Sequence, residues 1–326
     1  MEIKDLILNS KNITIIPHVN PDGDALGSSL ALYLLLKQRG LNVVIISPDK
    51  PGNYLSWLPD YSVIKTFEES EQIVEQLKTT DLFFNLDHNS LKRCGEIGKY
   101  IEQNRAKKIM IDHHPYPDDF ADYKYSEVEK CATCEITYNF IKDNFGIDAI
   151  TKDIATCLYT GIITDTGALS YNSSDPNLFL IVAELLSKGI DKPEIHNNLF
   201  NNNSLDRFKL MGFCIKDKLK VIEEIGCAYI VLSSEELKKY NYKEGDTEGF
   251  VNMPLTVSGI NVSVLVIEKK DIIKLSFRSL GDIEVNGVAE KYFNGGGHKN
   301  AAGGRTTESL EDCIMKLEVA LSEIKA

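Results

Sequence analysis

The first 115 residues alternate between short apolar runs and helical stretches, and this alternation constrains the fold more than any other feature. The runs are rich in β-branched and aromatic residues, and a polar loop follows each of them. Such runs are typical of strands that are buried on both faces. Their alternation with helices predicts a parallel sheet with helices on both sides. The predicted strands cover 12–17, 42–47, 81–87 and 107–112, and the predicted helices cover 25–39, 70–78 and 91–104.

The rest of the chain predicts a second, smaller α/β domain. The pattern is helical from about residue 131 to 219 and then changes to strands mixed with helices. A length of 326 residues suggests two domains at roughly 100–200 residues per domain. We therefore expect one domain over 1–204 and a second over 205–326. The strands predicted after residue 219 cover 227–232, 262–267 and 272–277, and the helices cover 285–293 and 309–324.

Composition and charge restrict the compartment and the partners. No apolar run approaches the roughly 20 residues that span a bilayer, and the N-terminal apolar run is too short for a signal peptide. Seven scattered cysteines fit a reducing compartment, so we expect a cytoplasmic protein without a membrane partner. A net charge of −12 argues against long duplex nucleic acid. Bound metal ions would still allow a short anionic substrate.

Residues that can bind metal ions follow three of the four predicted strands. Ligands of open α/β sheets bind outside the carboxyl ends of the strands, so these side chains should meet at one edge. A further acid, Asp165, lies in an apolar helical stretch, where an unpaired carboxylate is costly to bury. The residues at the strand ends are His18, Asp22 and Asp24, then Asp87, then Asp112, His113 and His114.

Several of these residues have simpler interpretations. Asp24 precedes a predicted helix and is a candidate N-cap. His88 is interpreted as a solvated loop residue. The pair Cys131 and Cys134 forms a lone CxxC without a second pair, which favours packing over metal or redox chemistry.

The clusters occur in an order that resembles the four motifs of the DHH phosphoesterases. The motifs are HVNPDGDALG at 18–27, Asp87 with Arg93 six residues later, DHH at 112–114 and TDTG at 164–167. The later segment GGGHKNAAG at 295–303 resembles the glycine-rich motif of the DHH-associated domain. Together these matches extend over most of the chain.

The resemblance implies that 1–204 is a catalytic domain with two Mn²⁺ ions in its active site and that 205–326 is a substrate-binding domain. His18 and Asp22 would bind one ion, Asp24, His113 and Asp165 would bind the other, and Asp87 would bridge them. A pair of divalent ions polarises a shared water into a nucleophile. Mixed carboxylate and imidazole ligands suit Mn²⁺ better than Ca²⁺ and exclude a thiolate zinc site.

The resemblance also implies roles around the metals. His114 would act on the phosphate or the leaving group, and with Asp87 and Arg93 it makes up the expected catalytic set. Arg93 and Asp112 would orient the ligands. In the second domain the expected substrate-binding residues are Arg278, Gly295, Gly296, Gly297 and His298, where glycines let backbone amides approach a phosphate.

Within the family, the two-domain layout is similar to enzymes with two activities. These enzymes degrade short RNA oligonucleotides to mononucleotides and convert 3′-phosphoadenosine 5′-phosphate (pAp) to AMP. We therefore expect short RNA and pAp as substrates, and the hypothesis allows a homodimer. Two departures occur: Asn294 stands where many relatives have a first glycine, and residues 167–171 lack an arginine that relatives often carry. Asn tolerates positive φ, so we expect little effect from the first; the second leaves the preferred substrate length open.

Three other functions remain as alternatives. A cyclic-dinucleotide phosphodiesterase acting on c-di-AMP or its linear product pApA would use the same metal chemistry. A regulator with an inactive metal site is disfavoured because every expected ligand is present. An inorganic pyrophosphatase is disfavoured because the glycine-rich second domain favours a nucleotide.

Overall fold

The computed structural model describes residues 3–68 and 70–324. These residues form two compact units that divide between Asn202 and Asn203. The helices of the first unit are α1 (Ile3–Asn9), α2 (Gly23–Gln38), α3 (Glu71–Thr79), α4 (Ile97–Gln103), α5 (Thr133–Phe145), α6 (Lys152–Asp165), α7 (Pro176–Ser187) and α8 (Lys192–Phe200). Its strands are β1 (Ile13–Ile16), β2 (Val43–Ser47), β3 (Lys65–Thr66), β4 (Leu82–Leu86), β5 (Lys107–Asp112) and β6 (Tyr123–Ser126).

The strands of the first unit form one sheet in the order β3-β2-β1-β4-β5-β6. Every neighbouring pair is parallel. The chain extends the sheet from β1 in one direction and then returns to β4 on the other side of β1. The carboxyl ends of β1 and β4 are therefore the point at which the strand order reverses, where open α/β sheets bind ligands.

Helices cover both faces of this sheet, which confirms the predicted architecture. On one face, α2 is buried between the sheet and α6, and Leu26 and Leu30 have no exposed surface. On the other face, Ile73 of α3 and Ile101 of α4 pack around Phe83 of β4. Burial on both faces explains why the central strands are continuous apolar runs.

A glycine sets the distance between α6 and its neighbours. A Cβ atom at Gly161 would lie 2.2 Å from Cys134 Sγ and 2.8 Å from Asp24 Oδ1. Since those atoms belong to other elements, only glycine at this position lets α6 approach them. The C-terminal residue of α6 is Asp165, so this close packing also positions an acidic side chain.

The second unit is a mixed sheet with helices. Its helices are α9 (Leu205–Phe213), α10 (Ser234–Lys239), α11 (Asn286–Phe293) and α12 (Leu310–Ser322). Its strands are β7 (Leu219–Ile222), β8 (Cys227–Leu232), β9 (Val262–Glu268), β10 (Ile273–Ser279), β11 (Gly296–His298) and β12 (Ala301–Thr306), in the order β11-β12-β10-β9-β8-β7. β8 and β9 are parallel, and the other neighbouring pairs are antiparallel.

One face of the second sheet packs against α11 and α12 around Phe277, Phe293 and Leu317. The opposite face, over β8 and β9, is covered by residues that include Leu210 and Phe250. Each unit therefore has its own apolar core.

The structure differs from the sequence-based expectation in several elements. The predicted helix over 91–104 is divided into a 3₁₀ turn at Leu91–Cys94 and α4, because Gly95 takes a left-handed φ of +54° between them. The strands β3, β6, β7, β11 and β12 were not predicted. β6 consists of half-exposed residues and β12 contains two glycines, so neither shows the apolar run of a central strand.

Among residues 3–68 and 70–324, no helix has the length and apolarity that a bilayer-crossing segment requires.

Candidate metal centre

The residues that follow β1, β4 and β5 meet at the carboxyl edge of the parallel sheet. β4 is paired with both β1 and β5, so the ends of these three strands are adjacent. His18 follows β1, Asp87 directly follows β4, and Asp112 ends β5 before His113 and His114. All five side chains are at least nine-tenths buried.

One cluster consists of His18, Asp22 and Asp87. His18 Nε2 lies 3.3 Å from Asp87 Oδ2 and 3.8 Å from Asp22 Oδ2. Asp22 is the N-cap of α2, and its Oδ1 accepts hydrogen bonds from the N–H groups of Asp24 and Ala25 at 3.0 and 3.1 Å. The N-cap interpretation of Asp24 is therefore wrong. One oxygen of Asp22 caps the helix, and the other faces His18.

A second cluster consists of Asp24, His113 and Asp165. His113 Nε2 lies 3.5 Å from Asp165 Oδ2 and 3.8 Å from Asp24 Oδ2. Asp24 is in the first turn of α2, and Asp165 ends α6. In each cluster, the three ligand atoms lie within 4.8 Å of one another, a spacing that allows them to hold one metal ion.

Asp87 lies between the two clusters and faces both. Its Oδ2 is the atom near His18, and its Oδ1 lies 3.6 Å from His113 Nε2. Its backbone takes a left-handed φ of +62°, which Asp adopts more readily than most residues. The backbone N–H of Asp87 donates to the Ile111 carbonyl at 3.0 Å and ties this turn to β5.

Hydrogen bonds to backbone carbonyls orient both imidazoles toward the carboxylates. His18 Nδ1 lies 2.7 Å from the Val19 oxygen, and His113 Nδ1 lies 3.3 Å from the Lys130 oxygen. When each Nδ1–H donates to its carbonyl, each Nε2 presents its lone pair to the cluster. This is the arrangement by which proteins hold metal-binding histidines.

The N-terminus of α5 contributes three hydrogen bonds that the motifs did not reveal. The N–H groups of Thr133 and Cys134 donate to Asp24 Oδ2 and Oδ1 at 2.6 and 2.8 Å. The Thr133 hydroxyl donates to Asp87 Oδ1 at 2.8 Å. Thr133 is therefore a positioning residue that sequence reasoning missed. The signal available in the sequence was a small polar residue at a predicted helix start, between Cys131 and Cys134. Both cysteines are buried free thiols.

Burial and charge at this site favour a bound cation. Burial, together with the charges of Asp87 and Asp22, holds the pKa of Asp24 well above its usual range. Burial would also raise the pKa of Asp87, but the protonated form of His18, whose Nε2 then donates to this carboxylate, and the nearby imidazoles hold it well below that range. A divalent cation would relieve the repulsion between these carboxylates, and mixed carboxylate–imidazole donors fit a borderline metal such as Mn²⁺.

Asp112 and His114 form a hydrogen-bonded pair beside the clusters. Asp112 Oδ1 lies 2.8 Å from His114 Nδ1, and Asp112 Oδ2 accepts from the His114 N–H at 3.0 Å. Burial and the charge of Asp87 raise the pKa of Asp112 to about 7. Arg93 lies in the 3₁₀ turn after β4, and its positive charge opposes that increase. Its carbonyl accepts from the Val19 N–H at 2.7 Å, next to His18.

His88 is buried, so its interpretation as a solvated loop residue is wrong. Its Nε2 lies 3.3 Å from the Ile16 oxygen, and its ring stacks on Phe120 with 6.1 Å between the centroids. Burial and the charge of Arg93 lower the pKa of His88 to about 3. His88 is therefore neutral, and its contacts with Ile16 and Phe120 hold the turn after Asp87 in place.

The predicted substrate-binding side chains of the second unit share one face of its sheet. Arg278 on β10 pairs with Ala301 on β12, and Ala301 pairs with His298 on β11. Directly opposed residues of antiparallel strands point to the same face. Arg278 and His298 therefore flank the small Ala301, and Arg278 also donates from Nη1 to the Phe277 carbonyl at 2.9 Å.

Two of the three glycines before His298 are required by strand packing. A Cβ at Gly295 would lie 2.0 Å from the Gly303 oxygen, and one at Gly297 would lie 2.5 Å from the Ala301 oxygen. Gly296 has no contact that close, since its nearest neighbour is Glu290 Oε1 at 3.7 Å. Asn294 takes a left-handed φ of +47° as the C-cap of α11, a conformation that Asn tolerates.

Comparison with known proteins supports the motif assignment. Residues 12–162 match the N-terminal domain of the DHH family, and residues 225–325 match the DHHA1 domain. The chain is 32% identical to the bifunctional oligoribonuclease and PAP phosphatase NrnA of Thermus thermophilus, over 89% of this chain and 83% of that protein. This chain belongs to the DHH family.

Two further relatives extend the comparison within the DHH family. The crystal structure of an exopolyphosphatase-related protein from Bacteroides fragilis is similar, with a TM-score of 0.93 and 38% identity over 98% of this chain and 94% of that one. The cyclic-di-AMP phosphodiesterase PdeA of Listeria monocytogenes is 23% identical over 92% of this chain, which spans only 46% of that protein. The first two relatives are thus matched over most of their own length, and PdeA over less than half of its length.

Proposed function

We propose that this DHH protein is a phosphoesterase that degrades short RNA oligonucleotides to mononucleotides and converts pAp to AMP. The observation that carries the proposal is the position of Asp87, whose two carboxylate oxygens face two separate ligand clusters. A carboxylate shared in this way is typical of two-metal phosphoesterase sites. The name and coverage of the Thermus thermophilus NrnA support the choice of substrates.

The residues present fit two Mn²⁺ ions. His18 and Asp22 would hold one, Asp24, His113 and Asp165 would hold the other, and Asp87 would contact both. When bound, the ions would polarise a water and the scissile phosphate. In each cluster, the imidazole Nε2 and the carboxylate oxygens lie within 4.8 Å of one another.

His114 and Arg93 would complete the reaction centre. The carboxylate of Asp112 holds Nδ1 of His114, so Nε2 is the nitrogen available to bind a phosphate oxygen or to move a proton to the leaving group. Arg93 would set the charge balance around Asp112, and Asp112 would fix the His114 ring.

The second unit would bind the part of the nucleotide away from the reacting phosphate. Arg278 and His298 would present charge and hydrogen-bond donors from one face of the sheet. Gly295, Gly296 and Gly297 would bring backbone amides close to a phosphate. Since Gly295 and Gly297 also pack against β12, substitution there would change the sheet as well as binding.

The test is a product time course with Mn²⁺ on pAp, a five-residue RNA, pApA and c-di-AMP in parallel. We expect AMP from pAp and mononucleotides from RNA, complete loss in EDTA, and better recovery with Mn²⁺ than with Zn²⁺. Asp87→Ala should remove activity on every substrate, whereas Asp143→Ala, which removes an exposed carboxylate of α5, should not. Retention of more than a tenth of the wild-type kcat in Asp87→Ala would contradict the bridging role.

The cyclic-dinucleotide alternative remains a second candidate because PdeA is among the relatives. Faster turnover of c-di-AMP or pApA than of pAp and RNA would favour it. The homodimer also remains a prediction, which light scattering of the same sample measures.

A further inference from the structure

An aromatic side chain two residues after the buried His114 is exposed to an unusual degree. Tyr116 follows His113, His114 and Pro115, and 86% of its surface is exposed, the highest value among the large apolar side chains of the described residues. The two histidines before it are buried. Since consecutive Cα atoms are 3.8 Å apart, the Tyr116 backbone lies within about 8 Å of that of His114.

The backbone of Tyr116 is strained. Its φ is +57°, in the left-handed region that L-residues other than Gly, Asn and Asp rarely adopt. Such a conformation costs about 1–2 kcal/mol for a bulky residue and persists only when its surroundings impose it.

Hydrogen bonds on both sides impose this conformation. Asn89 Nδ2 donates to the Pro115 carbonyl at 2.6 Å, and the Asp118 N–H donates to the Asn89 carbonyl at 2.8 Å. Farther along the same loop, Phe120 stacks on the buried His88. The loop is thus anchored to the turn after Asp87, and Tyr116 is the aromatic residue among the exposed residues 116–119.

We propose that Tyr116 is a stacking platform for the nucleobase of the substrate, a role that rests on the function proposed above. An exposed ring on an anchored backbone, two residues after His114, offers an apolar surface that the fold itself does not use. Every base presents a π-face, so stacking adds affinity without restricting sequence. This suits an enzyme that must accept any short RNA as well as pAp.

The test compares wild type, Tyr116→Phe and Tyr116→Ala on pAp, on an RNA dinucleotide and on ribose 3′,5′-bisphosphate, which lacks the base. Alanine retains a Cβ, so the backbone strain is the same in all three proteins. Tyr116→Ala should lower kcat/KM for the two base-containing substrates roughly 5- to 150-fold, the range of one lost stacking contact, mainly through KM. Tyr116→Phe should remain within about threefold of wild type.

The remaining measurements separate stacking from a structural role. Hydrolysis of ribose 3′,5′-bisphosphate and the melting temperature should be unchanged in Tyr116→Ala. Phe179→Ala, which removes an exposed aromatic ring of α7, should affect none of the substrates. Equal loss on base-containing and base-free substrates, or no loss on any, would overturn the stacking role while the proposed function stands. A wild-type enzyme that hydrolyses neither pAp nor RNA would overturn both.

Discussion

The hydroxyl of Thr133 shows how single residues outside the ligand set determine the geometry of the centre. It donates to Asp87 Oδ1, the carboxylate oxygen near His113, while its backbone N–H donates to Asp24. The side-chain bond fixes the rotation of the carboxylate that faces both clusters. Without it, the ligand atoms remain but their orientation is no longer enforced.

Thr133→Val should therefore weaken Mn²⁺ binding about 10- to 100-fold while the fold is retained, because valine has the same shape and no donor. Isothermal titration with Mn²⁺ measures the affinity. Thr137→Val is the matched control: Thr137 lies one turn farther along α5, and its buried hydroxyl has no hydrogen-bond partner. Equal Mn²⁺ affinities for Thr133→Val and wild type would show that the hydroxyl does not orient Asp87.

His88 should make the stability of the protein depend on pH. The pKa of His88 is lowered to about 3 in the folded protein, against about 6.5 in an unfolded chain. Below pH 6.5 the unfolded chain therefore binds a proton that the folded protein does not, and stability falls as the pH falls. From pH 6.5 to pH 5 this contributes a loss of about 2 kcal/mol.

Urea unfolding of wild type and His88→Gln over that pH range isolates the contribution. The difference in unfolding free energy between the two proteins should shrink by about 2 kcal/mol as the pH falls, because glutamine does not titrate. A difference that stays constant from pH 6.5 to 5 would show that His88 does not titrate as its burial requires.

The sequence identified single residues well where chemistry and topology agree. The imidazoles and carboxylates after β1, β4 and β5 were predicted to meet because parallel strands end at one edge. Thr133 was not predicted because a Thr at a helix start is common for reasons unrelated to a metal site, such as N-capping. The burial of His88 escaped notice because it depends on Phe120 and Ile16, which only the folded chain brings to it.

At the scale of elements, the close approach of α6 to α2 and α5 determines where Asp165 lies. Gly161→Ala would place a methyl group against Cys134 Sγ and Asp24 Oδ1. We expect a loss of about 1–3 kcal/mol in unfolding free energy and weaker Mn²⁺ binding, because α6 must move away. Gly212→Ala in α9 is the control, since no atom lies within 4 Å of its Cβ position, and it should stabilise the protein by about 0.5–1 kcal/mol. Destabilisation by both substitutions to the same extent would indicate a general helix effect instead of a packing effect.

Elements with strong apolar patterns were predicted, and elements whose pairing depends on tertiary contacts were not. β1, β2, β4 and β5 are buried runs, so their sequence alone predicts strands. β11 consists of two glycines and His298 and is a strand only because β12 lies beside it. The glycines in the sequence suggested a ligand site, but Gly295 and Gly297 also allow their own backbone to pack closely against β12.

At the scale of the whole molecule, the two separate apolar cores predict that Mn²⁺ changes the thermal stability of the two units differently. All metal-binding residues proposed here lie in the first unit, so Mn²⁺ should stabilise that unit alone. At a concentration about 100 times its Kd, a ligand adds about 2.7 kcal/mol. Calorimetry should show one transition that rises with Mn²⁺ and one that does not.

Leu317→Ala assigns the two transitions. Leu317 is fully buried in the core of the second unit, so the substitution should cost about 2–5 kcal/mol there. It should lower the transition that Mn²⁺ leaves unchanged. If Leu317→Ala lowered the Mn²⁺-sensitive transition instead, the two units would not unfold separately.

The position of Asp87 also means that two cations, one in each cluster, would not bind independently. Each of its oxygens faces a different cluster, and the two oxygens move together as one rigid group. Any cation that draws the carboxylate toward one side withdraws it from the other, and thermodynamic reciprocity makes the effect equal in both directions. Cations differ in preferred ligand distance, from about 2.1 Å for Mg²⁺ to about 2.5 Å for Ca²⁺. An ion of the wrong size in one cluster would therefore inhibit by weakening the binding of the ion in the other cluster, without competing for the substrate.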